Sequence, residues 1–148
     1  MLPRWLFSFL VVTAAVCAAP ADRFATVAIE PAKTSIYIGS VTMTSPIFHR
    51  IGARYESSYV AKVFPYFFYN EKGTLGIEFT DGQLARLERG ERVEFTGQAR
   101  SDSGGERRIE GHATPADPGS GKIKVRIFVS KNVELIFNTT YRFAPPTK

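Results

Sequence analysis

Beyond residue 24, apolar side chains recur at every second position through most of the chain, and the 3.6-residue spacing of a helix is sustained only briefly near its middle. Alternation of this kind marks strands that bury one face. The stretch richest in rings, residues 59–79, reads as a hairpin turned at Asn70, Glu71, Lys72 and Gly73, with Gly73 supplying the positive φ of a three-residue loop. Counting outward from that turn pairs Tyr69 with Leu75, Phe67 with Ile77 and Pro65 with Phe79 on a core face. It leaves Phe64, Tyr66 and Phe68 on the opposite face, with Phe68 lying across Gly76. A strand carrying rings on both faces is either covered twice by its own domain or meets a ligand or partner on one side.

The flanking segments extend the pattern. Residues 24–30 alternate weakly up to Pro31, and residues 35–44 read as one strand with Tyr37, Val41 and Met43 on one side and Ile36, Ile38 and Thr42 on the other. Ser45-Pro46 breaks that ladder, and from Arg54 an extended run leads into the hairpin, with Pro65 marking an edge or a bulge. A single helix is predicted near residues 82–89: Thr80 or Asp81 caps it, Leu84 and Leu87 share a face, and Gly90 ends it. Two turns of helix are not stable alone, so its leucines are expected to dock on the sheet and plug one open end. Residues 92–99 turn Val93, Phe95 and Ala99 inward, and residues 107–113 return Ile109, Gly111 and Ala113 to the same core. A loop at Ser103-Gly104-Gly105 sets Gly97 against Gly111, a pairing suited to a sharp sheet bend. Residues 115–121 read as a turn-rich connection. In the last hairpin only a three-residue loop, Ser130-Lys131-Asn132 with Asn132 left-handed, matches Val129 with Val133, Ile127 with Leu135 and Val125 with Phe137. The expected fold is all-β: a single antiparallel barrel of seven or eight strands with one short helix, a two-sheet sandwich being the alternative.

Residues 1–21 change the picture of where this domain works. Arg4, the apolar run beginning at Trp5, and the small residues around Pro20 form a secretory signal peptide, with cleavage after Ala18, Ala19 or Ala21 and Ala21 preferred. The run is too short to span a bilayer comfortably. Cys17 is the only cysteine; Val16 before it is a poor match to a lipoprotein signal, so lipidation is not expected. The remaining domain, residues 22–148, then holds no thiol, which excludes disulfides, cysteine nucleophiles and thiolate metal sites and leaves stability to the core. The formal charge of +5 drops by one when Arg4 departs, a mild basic bias that favours anionic envelope surfaces over nucleic acid. A periplasmic or secreted location follows.

Candidate chemistry is sparse. His49 and His112 are the only histidines, and no Gly-x-Ser-x-Gly elbow, His-Glu-x-x-His helix or phosphate-cradling glycine loop accompanies them. A hydrolase or metal-dependent enzyme built on either histidine is the reading from outside the binding classes, and no cofactor or metal is implied. Two surfaces suit binding an envelope protein or an anionic envelope surface: the aromatic face of Phe64, Tyr66 and Phe68, and a basic face of Arg108, His112, Lys122, Lys124 and Arg126. The alternative is a carrier whose barrel interior, lined by Phe67, Tyr69, Phe95, Phe137 and Tyr141, takes a small apolar ligand. The sequence leaves the oligomeric state open.

Overall fold

The computed structural model describes residues 23–145; the leader expected at residues 1–21, its expected cleavage positions and Cys17 lie outside them. Ten strands follow the alternation: β1 (Thr26–Ile29), β2 (Ala32–Ile36), β3 (Gly39–Thr44), β4 (Phe48–Ile51), β5 (Arg54–Phe64), β6 (Glu71–Glu78), β7 (Val93–Ser101), β8 (Glu106–Asp117), β9 (Ser120–Phe128) and β10 (Glu134–Ala144). Eight of them close an antiparallel barrel in the order β5, β4, β1, β10, β9, β8, β7, β6 and back to β5. The strand breaks at Pro31 and Pro46 explain the other two. Where proline withholds a ladder donor the chain steps aside, so β3 and β4 share the same edge of β5, at residues 60–64 and 54–56 respectively, and β2 pairs with β3. At the break, Glu30 stays tied to β10: its amide donates to the Thr140 carbonyl (3.1 Å) and its carbonyl accepts from Thr139 Oγ1 (2.9 Å).

Inside the ring the period-two set is buried as expected: Val93, Phe95, Ala99, Ile109, Ala113, Ile123, Ile127, Phe137 and Tyr141, joined by Tyr55, Tyr59, Leu75 and Ile77. The helix, α1 (Asp81–Glu88), forms where its signals lie. Thr80 and Gln83 close a reciprocal capping box, Gly90 at φ 82° takes the left-handed position beyond the end, and Leu84 and Leu87 are buried. Leu87 meets Tyr55, Phe79, Tyr141 and Phe143 around a void of only about 30 Å³, so the helix stoppers this end of the barrel. Arg50 clamps it there, its guanidinium 2.6 Å from Asp81 and 3.3 Å from the Tyr55 hydroxyl, which in turn donates to the Phe24 carbonyl (2.6 Å).

The last hairpin has the anticipated register, Ile127 opposite Leu135 and Val125 opposite Phe137, although Asn132 is not left-handed. Elsewhere the structure corrects the reading. The central hairpin pairs β6 with residues 54–61, placing Tyr55 opposite Ile77 and Ser57 opposite Leu75, so the turn is the whole 65–70 loop with a 3-10 turn at Phe67–Tyr69. Residues 54–64 carry the same alternation as the ring-rich stretch and no proline, so they supply every ladder donor that a strand through Pro65 would lack. Gly73 is then not a turn residue. It faces Tyr59 at a point where a β-carbon would lie 2.0 Å from the Arg100 carbonyl oxygen, a close approach only glycine permits. Leu75 stays buried, but Phe67 and Tyr69 leave the core for solvent, and Gly76 has Glu56 and Gln98 as neighbours rather than Phe68.

Residues 35–44 are two strands, not one, turned at Tyr37-Ile38 with Ile36 opposite Gly39. Gly97 faces Ile109 and Gly111 faces Phe95, because Arg100 pairs with Glu106 and shifts the ladder away from the paired glycines. The connection at 115–121 is shorter than its composition suggests, since β8 continues to Asp117 and β9 begins at Ser120.

Candidate functional site

The end of the barrel opposite α1 is open. Its mouth holds a cavity of about 440 Å³, inside the range typical of small-molecule sites. The walls come from β2, β3, β5 and β10: Ile36, Val41, Ala61, Val63 and Leu135 point in because period-two alternation and the barrel's curvature leave them no other side. Met43, Ile127 and Phe137 form the floor, and beneath them lies a separate void of about 50 Å³ that they also line. Packing below the floor is therefore close to complete.

One polar group sits in this apolar wall. Glu71, at the start of β6, receives two guanidinium bonds from Arg107 of β8, 2.6 Å to Oε2 and 3.2 Å to Oε1, and the Tyr59 hydroxyl donates to Oε1 at 2.5 Å. Arg107 also reaches the Val129 carbonyl at 3.3 Å. The Arg107 bonds hold the Glu71 carboxyl below the ordinary carboxylate range, aided by the Tyr59 hydrogen bond and opposed by burial. Arg107 is raised in return by Glu71, and burial, with the neighbouring carboxylate, pushes the Tyr59 hydroxyl well above its usual value. Glu71 and Arg107 are the only charged residues lining the cavity among those described, and each neutralises the other. No spacing in the sequence could have paired them, 36 residues apart; strand order alone brings them together.

The rim is apolar and exposed. Tyr37 and Ile38 at the β2–β3 turn, Phe64, Phe67, Phe68 and Tyr69 around the 65–70 loop, and Val133 after β9 all stand in solvent. The rings of the 65–70 loop touch mainly one another, Phe68 4.6 Å from Tyr69 and 5.7 Å from Tyr66. Gly39 lets the β2–β3 turn press on this loop, since a β-carbon there would lie 2.0 Å from the Phe64 carbonyl oxygen. Fully burying a side chain of this size is worth about 1.5–3 kcal/mol, and folding leaves about half or more of the surface of each of these side chains in water. A Tyr-Ile turn also breaks the rule that tight turns take Gly, Asn, Asp or Pro, and local rules fail most often at functional sites. That is the signal by which the sequence could have revealed Tyr37 and Ile38.

The aromatic face named from sequence lands here in part: Phe64 and Phe68 are exposed on the rim, and Tyr66 is half-buried and lines the cavity. Of the anticipated interior rings, Phe95, Phe137 and Tyr141 are inside, Tyr69 stands at the mouth and Phe67 lies outside it. The basic face is gathered as expected on the outer surface of β8 and β9, His112 opposite Lys124 and Thr114 opposite Lys122. It is not uniformly basic. Arg126 lies 3.7 Å from Glu134 and Arg108 3.5 Å from Glu110, with the Arg108 guanidinium over the Phe128 ring. The groove beside it, about 680 Å³, sets Glu78, Glu94 and Glu110 against Arg92, Lys124 and Arg126. Burial, with Arg92 and Lys124 nearby, lowers His112 below the ordinary imidazole range, which weakens its share in a basic face.

His49 and His112 stand on β4 and β8, diametrically opposed in the ring, and so cannot share a site. Among the described residues no three His, Cys, Asp or Glu side chains come together as metal ligands. The chain matches no family model, no curated protein and no solved structure.

Proposed function

We propose that this protein is an exported, non-enzymatic binding domain that holds a small, uncharged, apolar molecule in the mouth of its barrel. The cavity itself carries the reading: about 440 Å³ of space walled by aliphatic and aromatic side chains, where the only charges among the described residues form a closed ion pair. Arg107 is already engaged bidentately, so an acidic ligand finds no free cation in the wall, and a charged head would have to be desolvated without compensation. A neutral chain or ring system meets no such cost. The aromatic loops, read from sequence as a partner surface, then form the approach to this site.

The test is saturable uptake of the apolar probe N-phenyl-1-naphthylamine, followed by its fluorescence. One site per chain is expected, displaced by long-chain alcohols in preference to the matching fatty acids. Ala61→Phe, which fills the mouth from β5, should weaken uptake at least about tenfold while melting cooperatively. Uptake that does not saturate, or that Ala61→Phe leaves unchanged, would overturn the reading.

A further inference from the structure

We infer that the open end of the barrel docks on a lipid bilayer carrying anionic headgroups, with the β2–β3 turn, the 65–70 loop and the β9–β10 loop as its points of insertion. The inference rests partly on the ligand reading, because a bilayer is where a neutral apolar molecule would be collected or delivered.

Three observations single out a bilayer rather than a protein. Among the described residues seven of the ten exposed large apolar side chains, all but Ile47, Ile51 and Val60, stand around the opening rather than on a flat face: Tyr37 is wholly exposed, Phe68 76% and Phe67 66%. A rigid partner covering these tips would cap the cavity, whereas fluid lipid fills the spaces between them and leaves the mouth continuous with the acyl region. The residue types also match the membrane interface, where Tyr and Phe rings sit at headgroup depth with basic residues beside them. Lastly, charge is complementary. Exposed Lys62 and Lys72 flank the aromatic loop and exposed Lys131 precedes Val133, while the two carboxylates bordering these loops each face an arginine, Glu71 bonded to Arg107 and Glu134 3.7 Å from Arg126. The remaining loop at this end, between β7 and β8, holds Asp102 and Glu106, and no large apolar residue of it is exposed. Apolar tips thus occupy three loops, two of them bordered by lysines, and the carboxylates without an arginine partner at this end lie at the fourth.

Vesicle co-sedimentation tests this on protein recovered after export by a bacterial host, its N-terminal mass measured so that a retained leader or a lipid on Cys17 is recognised. Binding is expected to vesicles of phosphatidylcholine mixed with phosphatidylglycerol, more weakly to phosphatidylcholine alone, and less at high salt. The double variant Tyr37→Ser/Phe68→Ser should lower the partition coefficient at least about tenfold, and Lys72→Glu by about fivefold or more. All three positions are exposed, so the variants are expected to fold, as circular dichroism would verify. Equal binding by the double variant, no binding to either vesicle, or a dimer in sedimentation velocity that the double variant dissolves would each overturn the inference. Ala61→Phe separates the two proposals: it should lose the probe and keep the vesicles.

Discussion

The two ends of this barrel hold similar side chains and use them in opposite ways. At the closed end Phe24, Tyr55, Phe79 and Phe143 are packed edge to face, with Phe24 and Phe143 4.9 Å apart, under a helix held by Arg50 and Asp81. At the mouth Phe64, Phe67, Phe68 and Tyr69 pack on one another in solvent. Aromatic content therefore does not tell stability from function; what covers the rings does. A two-turn helix provides the cover at one end, and the 65–70 loop, with its rings turned outward, leaves the other open.

Breaking the closed end should have the largest effect. Leu87→Ala removes a side chain that is 2% exposed and is expected to cost about 2–5 kcal/mol, read as a lower urea midpoint with an unchanged slope. If the loss were under about 0.5 kcal/mol, the helix would be an ornament rather than a stopper.

Next in size is Glu71→Gln in the mouth, which replaces a charge-assisted pair and should cost about 1.5–3 kcal/mol at pH 7. Because Arg107 holds the Glu71 carboxyl below its ordinary range, the folded chain binds fewer protons there than the unfolded one. The stabilisation is complete above the unfolded value of about 4.3 and is lost as pH falls through the lower folded value. The gap between wild type and variant should accordingly be widest near neutrality and close on acidification, as urea melts at several pH values would reveal. A gap that is constant with pH would mean that the carboxylate charge is not what holds the wall.

Smallest is Tyr37→Ser at the rim. With no contact to lose, it should shift stability by less than about 0.5 kcal/mol in a thermal melt. A larger loss would place Tyr37 with the packed rings of the closed end and erase the contrast between the two ends.

The helix of the closed end was legible in the sequence. Thr80, Leu84, Leu87 and Gly90 act within a dozen positions of one another, and helix capping, amphipathic spacing and left-handed termination are all local, whereas the clamp of Arg50 on Asp81 depends on strand order. The mouth was not. Tyr37 and Ile38 look like mid-strand residues because alternation continues through them, and only the pairing of Ile36 with Gly39 reveals a turn. Phe67 and Tyr69 fit a core face as well as Tyr55 and Tyr59 do, since both stretches alternate with period two and both match Leu75 and Ile77.

What the sequence determined by itself was the all-β barrel class, the inward residues from Val93 onward, the register of the last hairpin and the helix that closes one end, because each depends on periodicity or contacts between near neighbours. What the tertiary structure decided was register in the first half of the chain, the meeting of Tyr59, Glu71 and Arg107, and the openness of the mouth. Ring closure is the physical reason. β5 must pair with β3 and β4 along one edge and β6 along the other, and only the proline-free residues 54–64 can supply hydrogen-bond donors to both, which sends the rings of 64–69 to the rim.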